Sequence, residues 1–139
     1  MYSFFEKAIE YGTVHYYNSL GLISPTRGLI GTYRKNHIPW VVTDSLVSYE
    51  KYYFEPGSGF PVFKLDNGIV FAMLLCYDRS FPETWRSYYL QGAEIIYMAA
   101  CTWGFRYGFY VDEMRTRAHE THTHVICLNR AGEDRKSVV

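Results

Sequence analysis

A thiol stands where an apolar run stops in Leu74-Leu75-Cys76-Tyr77-Asp78-Arg79-Ser80-Phe81-Pro82-Glu83. The five residues before it, Phe71 to Leu75, are all apolar, as expected of a strand covered on both faces. Pro82 suits the first turn of a helix, where its missing N–H costs nothing, and Glu83 suits the positive end of the helix dipole. Cys76 therefore falls in an elbow outside the carboxyl end of a strand, where open α/β sheets build their sites. Backbone N–H groups there favour the thiolate, the form that attacks. An ordinary buried cysteine satisfies the same spacing. A second segment, Thr32-Tyr33-Arg34-Lys35-Asn36-His37-Ile38-Pro39, follows another apolar strand candidate, Gly28 to Gly31, and leaves Lys35 where that strand ends. On its own, Lys35 reads as a solvated loop lysine.

The elements that must hold these two groups can be read from periodicity and turn residues. Tyr2–Phe5 reads as a short strand and Thr13–Ile23 as a longer one, rich in β-branched and aromatic residues. Ser24-Pro25-Thr26-Arg27-Gly28 is a turn that leads into Leu29–Arg34 as a hairpin. Residues Asn36 to Gly59 form a long loop carrying His37 and Glu50, and loops of that length in compact domains tend to be functional or mobile. Pro61–Leu65 and Ile69–Leu75 pair across Asp66-Asn67-Gly68, a strong hairpin signal. Pro82–Gln91 is predicted helical and stopped by Gly92, Ile95–Ala99 a buried strand, Val111–Thr123 a helix and His124–Asn129 the next strand. Strands that feed helices and return to strands imply a layered α/β sheet.

At 139 residues the chain fits one domain, 1–139, and 48% hydrophobic with 20% charged residues is a globular composition. Fourteen basic residues balance fourteen acidic ones, which gives no electrostatic reason to expect nucleic acid or an anionic membrane as partner. No run approaches the roughly 20 apolar residues of a membrane span. The N-terminus shows no basic region followed by an apolar one. Three cysteines without C-x-x-C spacing fit free thiols in a reducing, cytoplasmic setting. Aromatics reach 19%, with 14 tyrosines, and such surface can mark faces for other segments or a partner subunit.

Taken together, Tyr33–Pro39 (YRKNHIP) and Leu74–Glu83 (LLCYDRSFPE) resemble the lysine and cysteine motifs of the carbon–nitrogen hydrolases, the nitrilase superfamily. Tyr49–Gly57 with Gly59–Phe63, then Gln91–Ile96 and Val125–Gly132, resemble further segments of that family in the same order, most closely in its N-carbamoyl branch. The resemblance implies a four-layer α-β-β-α sandwich, of which residues 1–139 supply the central part without its N- and C-terminal segments. It also implies Cys76 as nucleophile, Lys35 as the cation beside the reacting carbonyl and Glu50 as a second, supporting glutamate. The primary glutamate, the general base, belongs to a proline–glutamate motif upstream of the strand beginning at Tyr2, and Glu6 sits in a different motif. No cofactor is implied. The substrate implied is a small amide or N-carbamoyl compound, and the family commonly pairs subunits through the outer helices of the sandwich.

That chemistry suits these residue types. Amide and ureido carbonyls are poor electrophiles, and acyl transfer to sulfur and then to water splits one hard step into two. A thiol near its ordinary pKa of about 8.5 is only slightly ionised at neutral pH, so a base or cation beside it helps. Lys35 can hold the negative oxygen of the tetrahedral intermediate. Glu50 can orient Lys35 or share the proton work, or be a surface charge beside Lys51. Arg79, by the same resemblance, suits a substrate carboxylate, because a guanidinium fork binds one with two bonds. The plainer alternative is an Asp78–Arg79 structural pairing with neighbours. His37 lines the pocket or bonds a backbone group, and Tyr77 adjoins the nucleophile. Ser48 and Tyr77 depart from the histidine and asparagine of N-carbamoyl-amino-acid hydrolases. His119, His122 and His124 with Glu120 fall one residue short of H-E-x-x-H, so surface histidines at a helix–strand junction are expected rather than a metal site. Cys101 and Cys127 are expected to be small buried cysteines. The competing function is a catalytically incomplete remnant that acts as a binding or subunit-interaction module.

Overall fold

The computed structural model describes residues 1–43, 47–102 and 105–131. Residues 44–46 of the long loop, and Gly132 to Asp134 at the end of the last motif, lie outside them. Three strands open the chain: β1 (Tyr2–Glu10), β2 (Thr13–Ser24) and β3 (Gly28–Arg34), in an antiparallel sheet of order β1-β2-β3. Tyr11 and Gly12 join β1 to β2 with φ of 51° and 81°. Two successive positive φ values make the turn whose twist matches the flanking strands.

Strand β1 runs past the expected end at Phe5 because its alternation is inverted. Glu6 and Glu10 lie on its more covered side, while Phe5 and Ile9 are exposed. Arg34 of β3 explains this. Its Nη2 lies 2.6 Å from Glu6 Oε1, its Nη1 lies 2.6 Å from Glu10 Oε1, and its guanidinium stacks 3.9 Å from the centre of the Tyr17 ring. The bonds from Arg34 hold the Glu6 carboxyl below the usual carboxylate range, against the opposing effect of burial. Glu6 is thus engaged by Arg34 and by the Ser19 hydroxyl.

The long loop carries a small pairing of β4 (Val41–Val42) with β5 (Val47–Ser48), then the single-turn helix α1 (Glu50–Tyr53). It is sewn to the first sheet by Glu55 N–H on Tyr16 O and Gly57 N–H on Lys35 O, both 2.9 Å. A second sheet follows in the order β6-β7-β8-β9, from β6 (Val62–Lys64), β7 (Val70–Leu75), β8 (Ile95–Ala100) and β9 (His124–Asn129). The hairpin β6–β7 is antiparallel around Asn67-Gly68, with Gly68 at φ 90°. Strands β7, β8 and β9 run parallel, joined by the crossover helices α2 (Pro82–Leu90) and α3 (Phe105–Thr121).

One core joins the layers. Leu20, Leu22 and Tyr33 of the first sheet, Phe71 to Leu75, Ile96 and Met98 of the second, and Trp85, Tyr88, Tyr110 and Met114 of the helices form a single buried cluster. The order is sheet, sheet, helices, so the described residues supply three layers of an α/β sandwich. The sheets approach closely where β3 is bare: a Cβ on Gly31 would fall 2.3 Å from Cε1 of Phe63 on β6. Under the second sheet, the Tyr88 hydroxyl donates to Met73 O.

Helix α3 begins six residues before the expected Val111. Phe105, Tyr107, Gly108, Phe109 and Tyr110 have modest helix propensity, and packing of Tyr110 with Met114 one turn on overrides it. It ends at Thr121, where His122 takes φ 52°, and His119, His122 and His124 are all exposed at the junction. The expectation for the spare cysteines fails: Cys101 is half-buried and Cys127 exposed. Strand β9 is the last of its sheet, and Cys127 is exposed on it although Val125 and Asn129 of the same side are half-buried. No helix among the described residues is long and apolar enough to cross a membrane.

Two glycines test this packing. A Cβ on Gly57 would lie 2.4 Å from Arg34 O, a backbone atom, so Gly57→Ala is expected to lower stability by about 1–3 kcal/mol. Gly108 has open space in a helix interior, and Gly108→Ala is expected to raise stability by about 0.5–1 kcal/mol. Urea unfolding midpoints of the two variants should move in opposite directions.

Candidate active site

The carboxyl ends of β7 and β8 and the end of β3 meet at one buried carboxylate. Residues Cys76–Ser80 form a 3₁₀ turn between β7 and α2, inserted where the sequence pattern predicts a direct strand-to-helix elbow. Asp78, the third residue of that turn, is fully buried. Its Oδ2 accepts from the Tyr33 hydroxyl at 2.7 Å and from Leu75 N–H at 3.1 Å, and its Oδ1 accepts from His37 N–H at 2.8 Å. His37 Nδ1 lies 2.9 Å from the same Oδ1. Burial, then the negative charge of Asp78, raise the Tyr33 phenol far above its ordinary value, so it stays a donor. Tyr33 and His37 flank Lys35, and Leu75 precedes Cys76. Asp78 therefore ties the two chemistry-bearing segments together across 41 positions of sequence.

Lys35 is 1% exposed, and its Nζ lies 2.6 Å from Glu50 Oε2 at the start of α1. The lysine backbone is fixed on both sides, by its N–H on Asn18 O and its carbonyl under Gly57 N–H, each 2.9 Å. Asn36 Nδ2 adds a bond of 2.7 Å to Gly59 O, which draws in the far end of the loop. An ammonium so deeply buried requires an opposite charge, and Glu50 provides it.

Cys76 is half-buried and takes φ 44°. A non-glycine residue in the left-handed region is held there by its surroundings at a cost of order 1–3 kcal/mol, and such strain clusters at functional sites. Its Sγ lies 3.8 Å from Cys101 O at the end of β8 and 3.7 Å from Arg79 Nη1. The turn is braced on all sides: Arg79 Nη1 donates to Cys76 O at 3.0 Å, Trp85 Nε1 to Arg79 O at 2.8 Å, and Arg106 Nη2 to Ser80 Oγ at 2.7 Å. Asn129 of β9 clamps the chain beyond Cys101, accepting from Thr102 N–H at 2.8 Å and donating to Thr102 O at 3.0 Å.

The structure brings Cys76, Lys35, Glu50, His37, Tyr77 and Arg79 to these meeting strand ends. Lys35 and Glu50 are in direct contact. The His37 ring bonds the Asp78 side chain rather than a backbone group, and stacks on Phe81 with ring centres 3.7 Å apart. Tyr77 packs edge-on against Phe81 at 5.2 Å. Arg79 is buried, and its Nε lies 2.9 Å from Glu113 Oε2 on α3. Its ion-pair partner is thus Glu113. Sequence reasoning missed Glu113 and the bracing role of Asp78. Nothing in the pattern of α3 marks Glu113, whereas a carboxylate just past a buried strand and its candidate nucleophile is a signal that could have drawn attention to Asp78.

Residues 1–139 match the sequence profile of the family described as carbon–nitrogen hydrolase. The chain is similar to N-carbamoylputrescine amidase of Arabidopsis thaliana, 43% identical over 96 residues, which is 68% of this chain and 29% of that protein. It is also similar to beta-ureidopropionase of the same plant, 33% identical over 130 residues, 93% of this chain and 31% of that one. Its fold matches the crystal structure of a carbon–nitrogen hydrolase from Helicobacter pylori G27 with a TM-score of 0.78 and 29% identity, covering 95% of this chain and 46% of that one. The chain spans less than half the length of each.

Replacing Asp78 by Asn puts an amide N–H₂ where a carboxylate oxygen accepts two bonds, and at least one buried donor loses its partner. Asp78→Asn is expected to cost about 2–5 kcal/mol, read as a fall in the denaturation midpoint. An unchanged midpoint would show that Asp78 does not carry the junction.

Proposed function

The chain belongs to the carbon–nitrogen hydrolase family, and on that premise we propose that Cys76 is the nucleophile of a hydrolase acting on small amide or N-carbamoyl substrates. The observation that carries this reading is that one carboxylate, Asp78, bonds both the segment of the strained Cys76 and the segment of the buried Lys35–Glu50 ion pair. Names of the relatives, an N-carbamoylputrescine amidase and a beta-ureidopropionase, support a ureido carbonyl as the reacting group.

In the proposed reaction the Cys76 thiolate attacks the carbonyl carbon, and the C=O electron pair moves onto oxygen. Lys35 holds that oxyanion through an ammonium N–H. Collapse re-forms the carbonyl and breaks the C–N bond, and the leaving nitrogen departs as ammonia or amine after gaining a proton. Water then adds to the thioester, and sulfur leaves as thiolate. Glu50 balances the charge of Lys35 and aims it. Residues 1–139 supply the nucleophile, the cation and the supporting glutamate. The resemblance places the proton-carrying glutamate ahead of Tyr2, and Glu6 is instead engaged by Arg34 and Ser19. His37, stacked on Phe81, and Tyr77, edge-on to the same ring, form a wall beside the nucleophile for the substrate. Pairing of subunits through the helical layer belongs to the same proposal, supported by the exposed Tyr89, Leu90, Tyr107 and Phe109 of α2 and α3.

Ammonia release from an N-carbamoyl amine by the full-length protein tests the reading. Cys76→Ala is expected to abolish it, and Lys35→Gln to lower kcat by about 10²–10³-fold. Turnover that survives Cys76→Ala removes the mechanism. Absence of turnover in the unmodified protein favours the alternative of a binding module.

A further inference from the structure

Arg79 has no part in the reaction as proposed, yet it is the one cation in direct contact with the sulfur among the described residues. We infer that Arg79, aimed by Glu113 of α3, is a positioning residue that holds Cys76 in its left-handed conformation and favours its thiolate; this rests on the reading of Cys76 as nucleophile. The geometry divides the work between two nitrogens. Nη1 reaches both Cys76 O at 3.0 Å and Cys76 Sγ at 3.7 Å, while Nε reaches Glu113 Oε2 at 2.9 Å. A planar guanidinium tied at Nε cannot turn Nη1 away from the cysteine. The face of Tyr110, 5.4 Å from the guanidinium carbon, adds a further restraint on that plane.

Two groups compete for the sulfur. The Cys101 carbonyl, at 3.8 Å, can only accept, so it favours the protonated thiol. The guanidinium can only donate, so it favours the thiolate. A charged donor outweighs a neutral acceptor at similar distance, because bonds to ionised groups are about twice as strong. Lys35 is then free to serve the carbonyl oxygen, its nearest fixed partner being Glu50. Other titratable groups face this region from the packed elements: Tyr110 of α3, Cys127 of β9, and the His37–Asp78 and Lys35–Glu50 pairs on the β3 side.

The test is the pH profile of iodoacetamide alkylation of each cysteine in the full-length protein, resolved by peptide mass. The Cys76 midpoint is expected to rise in Arg79→Gln, with alkylation at pH 7 slower by on the order of tenfold, the effect of one pKa unit. Arg79→Lys, which keeps a charge but not the fork, should recover part of the loss. Glu113→Gln keeps an oxygen for Nε and removes the opposing charge, so its midpoint should fall. A purely structural ion pair would lose stability in both Arg79→Gln and Glu113→Gln and leave the midpoint unmoved, which overturns the inference. Should Arg79→Gln not fold, the Glu113→Gln midpoint decides alone: a fall supports the inference and no change overturns it. If Cys76 in the unmodified protein ionises no more readily than exposed Cys127, the nucleophile reading itself fails and takes this inference with it.

Discussion

One carboxylate with four bonds governs this molecule. Asp78 lies at the seam between an antiparallel sheet and a mixed one, and it is the polar contact that reaches from the β7 turn to both sides of Lys35. Hydrophobic burial pushes the sheets together but is non-directional and sets no register between strand ends. Hydrogen bonds have direction. Two backbone N–H groups, a phenol and an imidazole converge on two oxygens, and the four together permit one relative placement of the lysine and cysteine segments. A charge this deeply buried is costly unless fully satisfied, and the same cost makes the arrangement unforgiving of displacement.

The charges divide by depth. Arg34 with Glu6 and Glu10 forms a half-buried cluster on the first sheet, where solvent still screens, and its role is to let a polar strand face close on its neighbour. Lys35 with Glu50, and Arg79 with Glu113, are different: each buried cation has one partly exposed carboxylate. In both cases the carboxylate comes from a separate element, α1 for the lysine and α3 for the arginine. Breaking a pair of this kind by removing one partner leaves a charge uncompensated, at about 3–5 kcal/mol. The two elements are therefore held against the strand ends by the same charges that act on the site.

Much of this was legible in the sequence, and the reasons differ from part to part. The β6–β7 hairpin follows from Asn67-Gly68, and β7 from its unbroken apolar run, because local rules suffice for both. The Lys35–Glu50 contact came from resemblance and could not come from spacing, since a loop of unknown path separates the two. The full length of β1 was hidden because Glu6 and Glu10 point toward a partner, Arg34, that lies 24 to 28 positions away. The start of α3 was hidden because tertiary packing outweighs weak propensity. Glu113 was invisible for a plainer reason: an acidic residue on a helix reads as solvated until the fold sets a guanidinium against it. Cys101 and Cys127 were misjudged because average burial of a residue type says nothing about a particular edge strand.

The contact of Gly31 with Phe63 has a consequence for how the site keeps its dimensions. A benzene ring lies against naked backbone at the point where the lysine-bearing strand crosses the hairpin of the other sheet. The bulk of that ring, rather than interlocking side chains, sets the gap there, much as a shim sets the clearance between two plates. Strand β3 ends shortly afterwards, immediately before the lysine. The position of the ammonium relative to the second sheet is accordingly gauged by an aromatic residue on that sheet.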